Sequence, residues 1–178
     1  MTTAGLLPVV RGSCAQPTMT QSAGDPTAAY ASKCECMNSD QLMVFFYGLF
    51  MDASLLASRG VHPVAATIGY VDGFALHIGT RATLLPEANS RAYGVLMTIN
   101  SEDAATLYSE QSVADYVAEP VVVQLPGNTR APAVCYNLPA ARLTGTNPEY
   151  AAALLALATR LGLPGSYLEH IRRAVALS

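Results

Sequence analysis

The chain is 178 residues long, with 51% hydrophobic residues, 13% charged residues and a formal net charge of −3. That length suits one domain of common size with a tail, and the composition supplies a sizeable core. Lys33 is the one lysine and no Lys/Arg-rich run occurs, so a nucleic-acid footprint is absent, and no long uninterrupted apolar run offers a transmembrane helix.

Residues 1–41 are rich in Ser, Thr, Ala, Gly and Pro and show no sustained period. They are expected to form a disordered tail, with residues 42–178 as the folded domain. The apolar run from Gly5 to Val10 lacks a basic start and is broken by Pro8, so it makes a poor signal peptide. Met37 and Met43 are candidate native starts. Of Cys14, Cys34, Cys36 and Cys135, the Cys34-Glu35-Cys36 spacing is too tight for an ordinary disulfide framework, and no second pair completes a zinc site. The thiols are read as unpaired, in a reducing, cytoplasmic compartment. His62, His77 and His170 are scattered and read as surface or packing residues, not metal ligands.

Val44-Phe45-Phe46-Tyr47 predicts a buried strand that stops at Gly48. Asp52 then caps a short helix running to Arg59, with Gly60 as its C-cap. Such a junction leaves backbone N–H groups at a sheet end, where they can hold a carboxylate or a developing oxyanion. His62 to Thr67 leads into a strand, and a second runs from Gly69 to Ile78 with a bulge or kink at Asp72-Gly73. Arg81 to Leu85 predicts a short strand, Pro86 to Ser90 a turn, and Ala92 to Ile99 a central strand. Ser101 is expected to cap a helix to about Glu110, with Glu102 and Asp103 complementing its dipole. Tyr116 to Leu125 is a strand whose Pro120 marks an edge or bulge, and a turn at Pro126-Gly127-Asn128 leads to its partner, Ala131 to Asn137. Asn147-Pro148-Glu149 opens a helix with an apolar stripe of Leu154, Leu155, Ala158 and Leu161. Gly162 and Pro164 end it, and a last helix follows from Gly165. Strands and helices mix without a βαβ repeat, which predicts an α+β fold with a small, strongly curved sheet or barrel and flanking helices.

Glu110 is the candidate catalytic group. A carboxylate at a helix C-terminus faces unpaired carbonyls, and the neighbouring Leu107, Tyr108, Val113 and Tyr116 predict an apolar setting. Both effects favour the protonated form and would make the group a proton carrier near neutral pH. The alternative is a solvated glutamate at a frayed helix end. Asp115 and Glu119 alternate along a strand edge and are expected to be exposed. Arg81 is a candidate carboxylate anchor through a bidentate contact, or else a structural ion-pair partner. Tyr47, Tyr93, Tyr116 and Tyr136 are candidates to line one cavity, with core packing the preferred role for Tyr93. No nucleophile elbow, Walker A or Rossmann pattern occurs, and no histidine neighbours Cys135 in sequence.

Four motifs, in order, resemble the γ-glutamylcyclotransferase-like proteins. They are the strand ending in Tyr47-Gly48, then Ser90-Arg91-Ala92-Tyr93-Gly94-Val95-Leu96, then Leu107-Tyr108-Ser109-Glu110 with Tyr116 and a run of valines. The fourth is Asn147-Pro148-Glu149-Tyr150 through Gly162-Leu163-Pro164-Gly165-Ser166-Tyr167. The match spans roughly residues 43 to 175. The resemblance implies a barrel-like α+β fold and an intramolecular aminolysis: a γ-glutamyl compound closes to 5-oxoproline and releases its amine. It implies Glu110 as the proton carrier, with Tyr47, Gly48, Leu49, Phe50 and Tyr116 around the substrate. Neither a metal nor a cofactor is required, and the implied partner is a small γ-glutamyl substrate, not nucleic acid or membrane. Leu49-Phe50 departs from the family's usual polar pair, which points to a different substrate tail or a narrower pocket. A non-catalytic relative that binds a small amino-acid-like ligand is the competing reading.

Overall fold

The computed structural model describes residues 40–176, so residues 1–39 of the expected tail, with Met37, lie outside the described residues. β1 (Gln41–Phe46) begins one residue before the anticipated domain boundary. Its run of β-branched and aromatic side chains is buried on both faces of the strand, with Val44, Phe45 and Phe46 each no more than 2% exposed. β2 (Ala65–Ile78) and β3 (Ala82–Asn100) form a long antiparallel hairpin, and β4 (Val117–Leu125) and β5 (Thr129–Asn137) a second. β1 runs antiparallel to β3 and meets β5 in parallel at Val44↔Val134. The strand order β1-β3-β2-β4-β5 thereby closes a barrel, as the mixed, curved sheet predicted from sequence requires.

Closure depends on two small residues. Gly69 and Gly94 sit opposite each other on β2 and β3. A Cβ on Gly94 would lie 2.3 Å from the Phe46 carbonyl oxygen, and one on Gly69 would lie 2.8 Å from that of Gln124. The backbones of β1 and β4 occupy the space that side chains would take.

Among the described residues four helices accompany the barrel: α1 (Ala53–Ala57), α2 (Ser101–Ser109), α3 (Pro148–Arg160) and α4 (Gly165–Ala176). Asp52 caps α1 through its side chain, which accepts from the Ser54 N–H at 2.9 Å, and Gly60 leaves it at φ 80°. Asn147 caps α3 by accepting from the Tyr150 N–H at 2.9 Å, with Pro148 at the first position. On α3 the buried face is Ala151, Leu154, Leu157 and Ala158, while Leu155 and Leu161 of the expected stripe are only partly covered.

Several sequence expectations are corrected. The two strands expected between His62 and Ile78 are one, β2. Arg81–Leu85, the Pro86–Ser90 turn and Ala92–Ile99 are also one strand, β3. Turn residues there make a wide bulge, not a reversal: pairing jumps from Asp72↔Arg91 to Phe74↔Pro86, with Gly73 and Asn89 at positive φ. Cross-strand pairing resumes on both sides and overrides local turn preference. Asn100, not Ser101, caps α2, because its side-chain oxygen accepts from the Glu102 N–H at 2.9 Å. Asp115 precedes β4 instead of lying on it, and pairs with Arg142 at 2.7 Å. β4 meets β2 only at Tyr70↔Gln124, so Pro120 lies where the strand is paired on one side, with β5.

Candidate functional site

At the C-terminal end of β1 the chain leaves the sheet at Gly48 and makes one 3-10 turn, Leu49–Met51, which no side chain caps. Beneath this turn lies a cavity of about 100 Å³. Ligand cavities ordinarily reach several hundred Å³, so this one has room for no more than a small molecular fragment. Tyr47, Gly48, Leu49, Phe50, Tyr116 and Arg81, the residues expected to meet the substrate, all line it.

Five tyrosines converge there. Tyr47, buried at the end of β1, donates to the Tyr136 carbonyl at 2.6 Å. Tyr116 donates to the Ala82 carbonyl at 2.6 Å. The Tyr108 and Tyr136 rings stack with centroids 3.6 Å apart. Tyr150, from the first turn of α3, reaches the Gly48 turn, with its hydroxyl against Gly48 and near the backbones of Leu49 and Ala82. Burial pushes Tyr47 and Tyr108 well above the usual tyrosine range, with the negative charge of neighbouring tyrosines adding to it. Burial also raises Tyr116, while Arg81 pulls it down. All of these hydroxyls therefore remain neutral hydrogen-bonding groups near pH 7.

Arg81 follows the β2–β3 turn and faces the Tyr116 and Tyr150 hydroxyls electrostatically. A second guanidinium, Arg59, lies at another wall, 5.4 Å over the Phe50 ring. Arg59 hydrogen-bonds the Glu110 carboxylate through Nη1 and Oε2. The apolar setting expected for Glu110 is thus not what surrounds it. The residue sits at the C-cap of α2, its side chain 39% exposed and held by a cation. Glu110 borders the cavity through Arg59 and does not line it.

Tyr93, weighed for the same cavity, is elsewhere. It packs against Tyr70 and Tyr167, in line with the packing role preferred for it, and borders a wide groove of about 660 Å³ between the β2–β3 bulge and α4. The polar groups of that groove are largely engaged, Asp72 with Arg91 at 2.9 Å and His170 with the Leu76 carbonyl at 2.7 Å. Cys135 is wholly buried, and burial pushes its thiol up to about 12, which removes it as a thiolate nucleophile near neutral pH. Glu119 lies on β4 and accepts from the Asn137 amide at 2.7 Å. Among the described residues no three or more His, Cys, Asp or Glu side chains gather as metal ligands, and no helix is long and apolar enough to cross a membrane.

Sequence reasoning missed Arg59 and the cavity role of Tyr150. The helix-start motif Asn147-Pro148-Glu149 placed Tyr150 one residue further into α3, so its direction was in reach. Arg59 and Glu110 are 51 residues apart, and no local pattern links them.

No family model matches the sequence, and no curated protein matches it. Solved structures do. A γ-glutamyl cyclotransferase superposes with a TM-score of 0.60, at 19% identity, over 75% of this chain and 87% of its own. An uncharacterized protein from Homo sapiens gives 0.58 at 19% identity, with the same coverage. YkqA from Bacillus subtilis gives 0.61 at 20% identity over 76% of this chain, which spans 54% of YkqA. The chain has the γ-glutamyl cyclotransferase-like fold.

Proposed function

We propose that this chain is a cyclotransferase-type enzyme that closes a γ-glutamyl amine or peptide to 5-oxoproline. The observation that supports it most is the joining, at one end of the barrel, of the Gly48 turn, a tyrosine-lined cavity and the Glu110 carboxylate at its border. The cavity's small volume suits a glutamyl group with the leaving amine at the opening.

In this reading the backbone N–H groups of the Gly48–Phe50 turn hold the substrate's carboxylate or the developing oxyanion, and Arg81 supplies a charge partner. The substrate's α-amine, as the free base, attacks its own γ-carbonyl carbon and a new C–N bond forms. The surplus proton on that nitrogen passes to the Glu110 carboxylate. Glu110 then delivers it to the leaving nitrogen as the old C–N bond breaks. Nothing is oxidised and no water is consumed. Both reacting atoms belong to one molecule, so holding them in a near-attack geometry supplies much of the rate.

The test is a panel of γ-glutamyl compounds assayed for 5-oxoproline, with Glu110→Gln alongside. Glu110→Gln is expected to lower kcat by about 10²-fold or more while keeping ligand affinity. Undiminished turnover in that variant removes Glu110 from the mechanism. One observation favours the competing reading of a non-catalytic binder: the carboxylate is already engaged by Arg59. Ligand binding without 5-oxoproline from any member of the panel would establish that reading instead.

A further inference from the structure

We infer that the open edge at the start of β2, Val64 to Ile68, is a pairing surface for a second copy of this chain, the two edges running antiparallel about a two-fold axis at Ala66.

The edge is open because β4 stops short of it. β2 and β4 meet at Tyr70↔Gln124, and continuing that register brings Leu125, the last residue of β4, level with Gly69. The chain then leaves the sheet through the 3-10 turn Pro126–Asn128. Before Gly69, β2 pairs with β3 alone among the described residues: Ala65↔Thr98, Ala66↔Met97, Thr67↔Leu96 and Ile68↔Val95. Val64, the residue before β2, is held to β3 as well, its N–H donating to the Thr98 carbonyl at 2.8 Å. Successive residues of an antiparallel strand turn their N–H and C=O groups to opposite sides. Half of these main-chain groups therefore face outward, where no strand among the described residues meets them. Every residue from Val64 to Ile68 is exposed, Val64 at 70% and Ile68 at 40%.

Proteins that stay monomeric commonly guard such an edge with a charge. No Lys, Arg, Asp or Glu occurs from Gly60 to Val71. Beside the edge lies an apolar groove of about 440 Å³, walled by Met51, Ala66, Ile68, Val95, Met97 and Leu157. The charges at its rim, Arg160 and Asp52, neutralise each other at 2.5 Å. Met51 is also the last residue of the turn over the tyrosine-lined cavity, so this surface lies behind that turn.

The edge is complementary to itself. An uncharged strand paired with its own copy opposes no like charges. Val64 and Ile68 stand two positions either side of Ala66, so an antiparallel pair centred there sets each Val64 level with the partner's Ile68, and the small Ala66 side chains meet at the axis. The length fits too. The overlap ends at Ile68, one residue before β4 would obstruct it on either copy. Five residues a side and a groove rim make a small contact, for which dissociation in the micromolar range is expected.

Sedimentation equilibrium of the full chain, from roughly 1 to 100 μM, is expected to show exchange between one and two copies of the 18.7 kDa chain. Val64→Lys and Ile68→Glu are each expected to raise the dissociation constant by about 10-fold or more, since each change acts twice across the axis. The double variant sets a lysine level with a glutamate at both places, and the dimer returns. Thermal melts of each variant separate lost pairing from lost fold. Hydrogen exchange of the wild type needs no substitution: the Ala65 to Thr67 amides slow as concentration rises, while those in the middle of β5 do not. A chain that stays monomeric throughout, association beyond two copies, or a dimer indifferent to all three variants overturns the pairing. So do edge amides that exchange alike at both ends of the dilution series.

Discussion

The cavity roof makes a quantitative claim that can be checked without a substrate. Gly48 is extended, at φ −104° and ψ −153°, a conformation open to any residue, so Gly48→Ala carries no backbone strain. Its cost is a contact. A Cβ there lies 2.8 Å from the Tyr150 hydroxyl oxygen, while the next atom, Ala82 Cβ, is at 4.0 Å. Ordinary contact begins near 3.4 Å, so the tyrosine must retreat by about 0.6 Å within a packed wall. Overpacking of that kind costs about 1–3 kcal/mol. Tyr150→Phe removes the hydroxyl from the packed wall beside Gly48, a change expected to cost no more than about 1 kcal/mol. In the double variant the new methyl group occupies the space the hydroxyl left. The double is therefore expected to cost no more than Tyr150→Phe alone, short of additivity by about 1–3 kcal/mol. Thermal and urea melts of the four proteins measure this, at about 2–4 °C per kcal/mol for a chain of this size. A Gly48→Ala protein that melts with wild type, or a double variant whose losses add, would show that Tyr150 does not sit against the turn.

Two further outcomes follow from the barrel itself. Gly94→Ala forces a Cβ onto the Phe46 carbonyl at 2.3 Å and the Phe45 ring at 2.8 Å, backbone and buried aromatic that cannot yield, so a loss of about 3 kcal/mol is expected in urea denaturation; near-native stability would contradict the closure described. Stability should also fall steeply as pH rises above about 9. Buried Cys135 (9.0 ordinarily, about 12 folded) and the tyrosines Tyr47, Tyr108, Tyr116, Tyr136, Tyr150 and Tyr167 (10.0 ordinarily) are all raised by burial. Groups raised on folding bind protons more tightly in the native state, so their contribution is complete below the unfolded values. It is lost as pH climbs from those values through the folded ones. Urea melts through this range, with tyrosinate absorbance as a parallel reading, check the sign; stability unchanged from pH 9 to 12 would refute the burial of the cluster.

The site was partly visible in the sequence because part of it is local. A strand that ends in Tyr47-Gly48 and turns directly into a capped helix announces a cluster of main-chain donors, and the structure puts that turn over a cavity with Tyr116 and Arg81. Glu110 was found from its position at a helix end, which a short window contains. Its surroundings were not found. An apolar setting was inferred from Leu107, Tyr108, Val113 and Tyr116, whereas the carboxylate turns to Arg59, on a different helix corner.

Short-range chemistry is what the chain carries on its own. Asp52, Gly60, Asn147-Pro148 and Gly162 start and stop helices through bonds to residues within four positions, and the alternating strands of an α+β fold are written in the period of their side chains. Tertiary structure decided everything that depends on residues meeting from far apart. Cross-strand pairing turned Pro86–Ser90 from a reversal into a bulge, Gly69 and Gly94 let the barrel close, and five tyrosines from separate elements came to share one cavity. The reason is physical: a cap is satisfied by its own neighbours, but a cavity or an ion pair exists only after the chain has brought distant surfaces into contact.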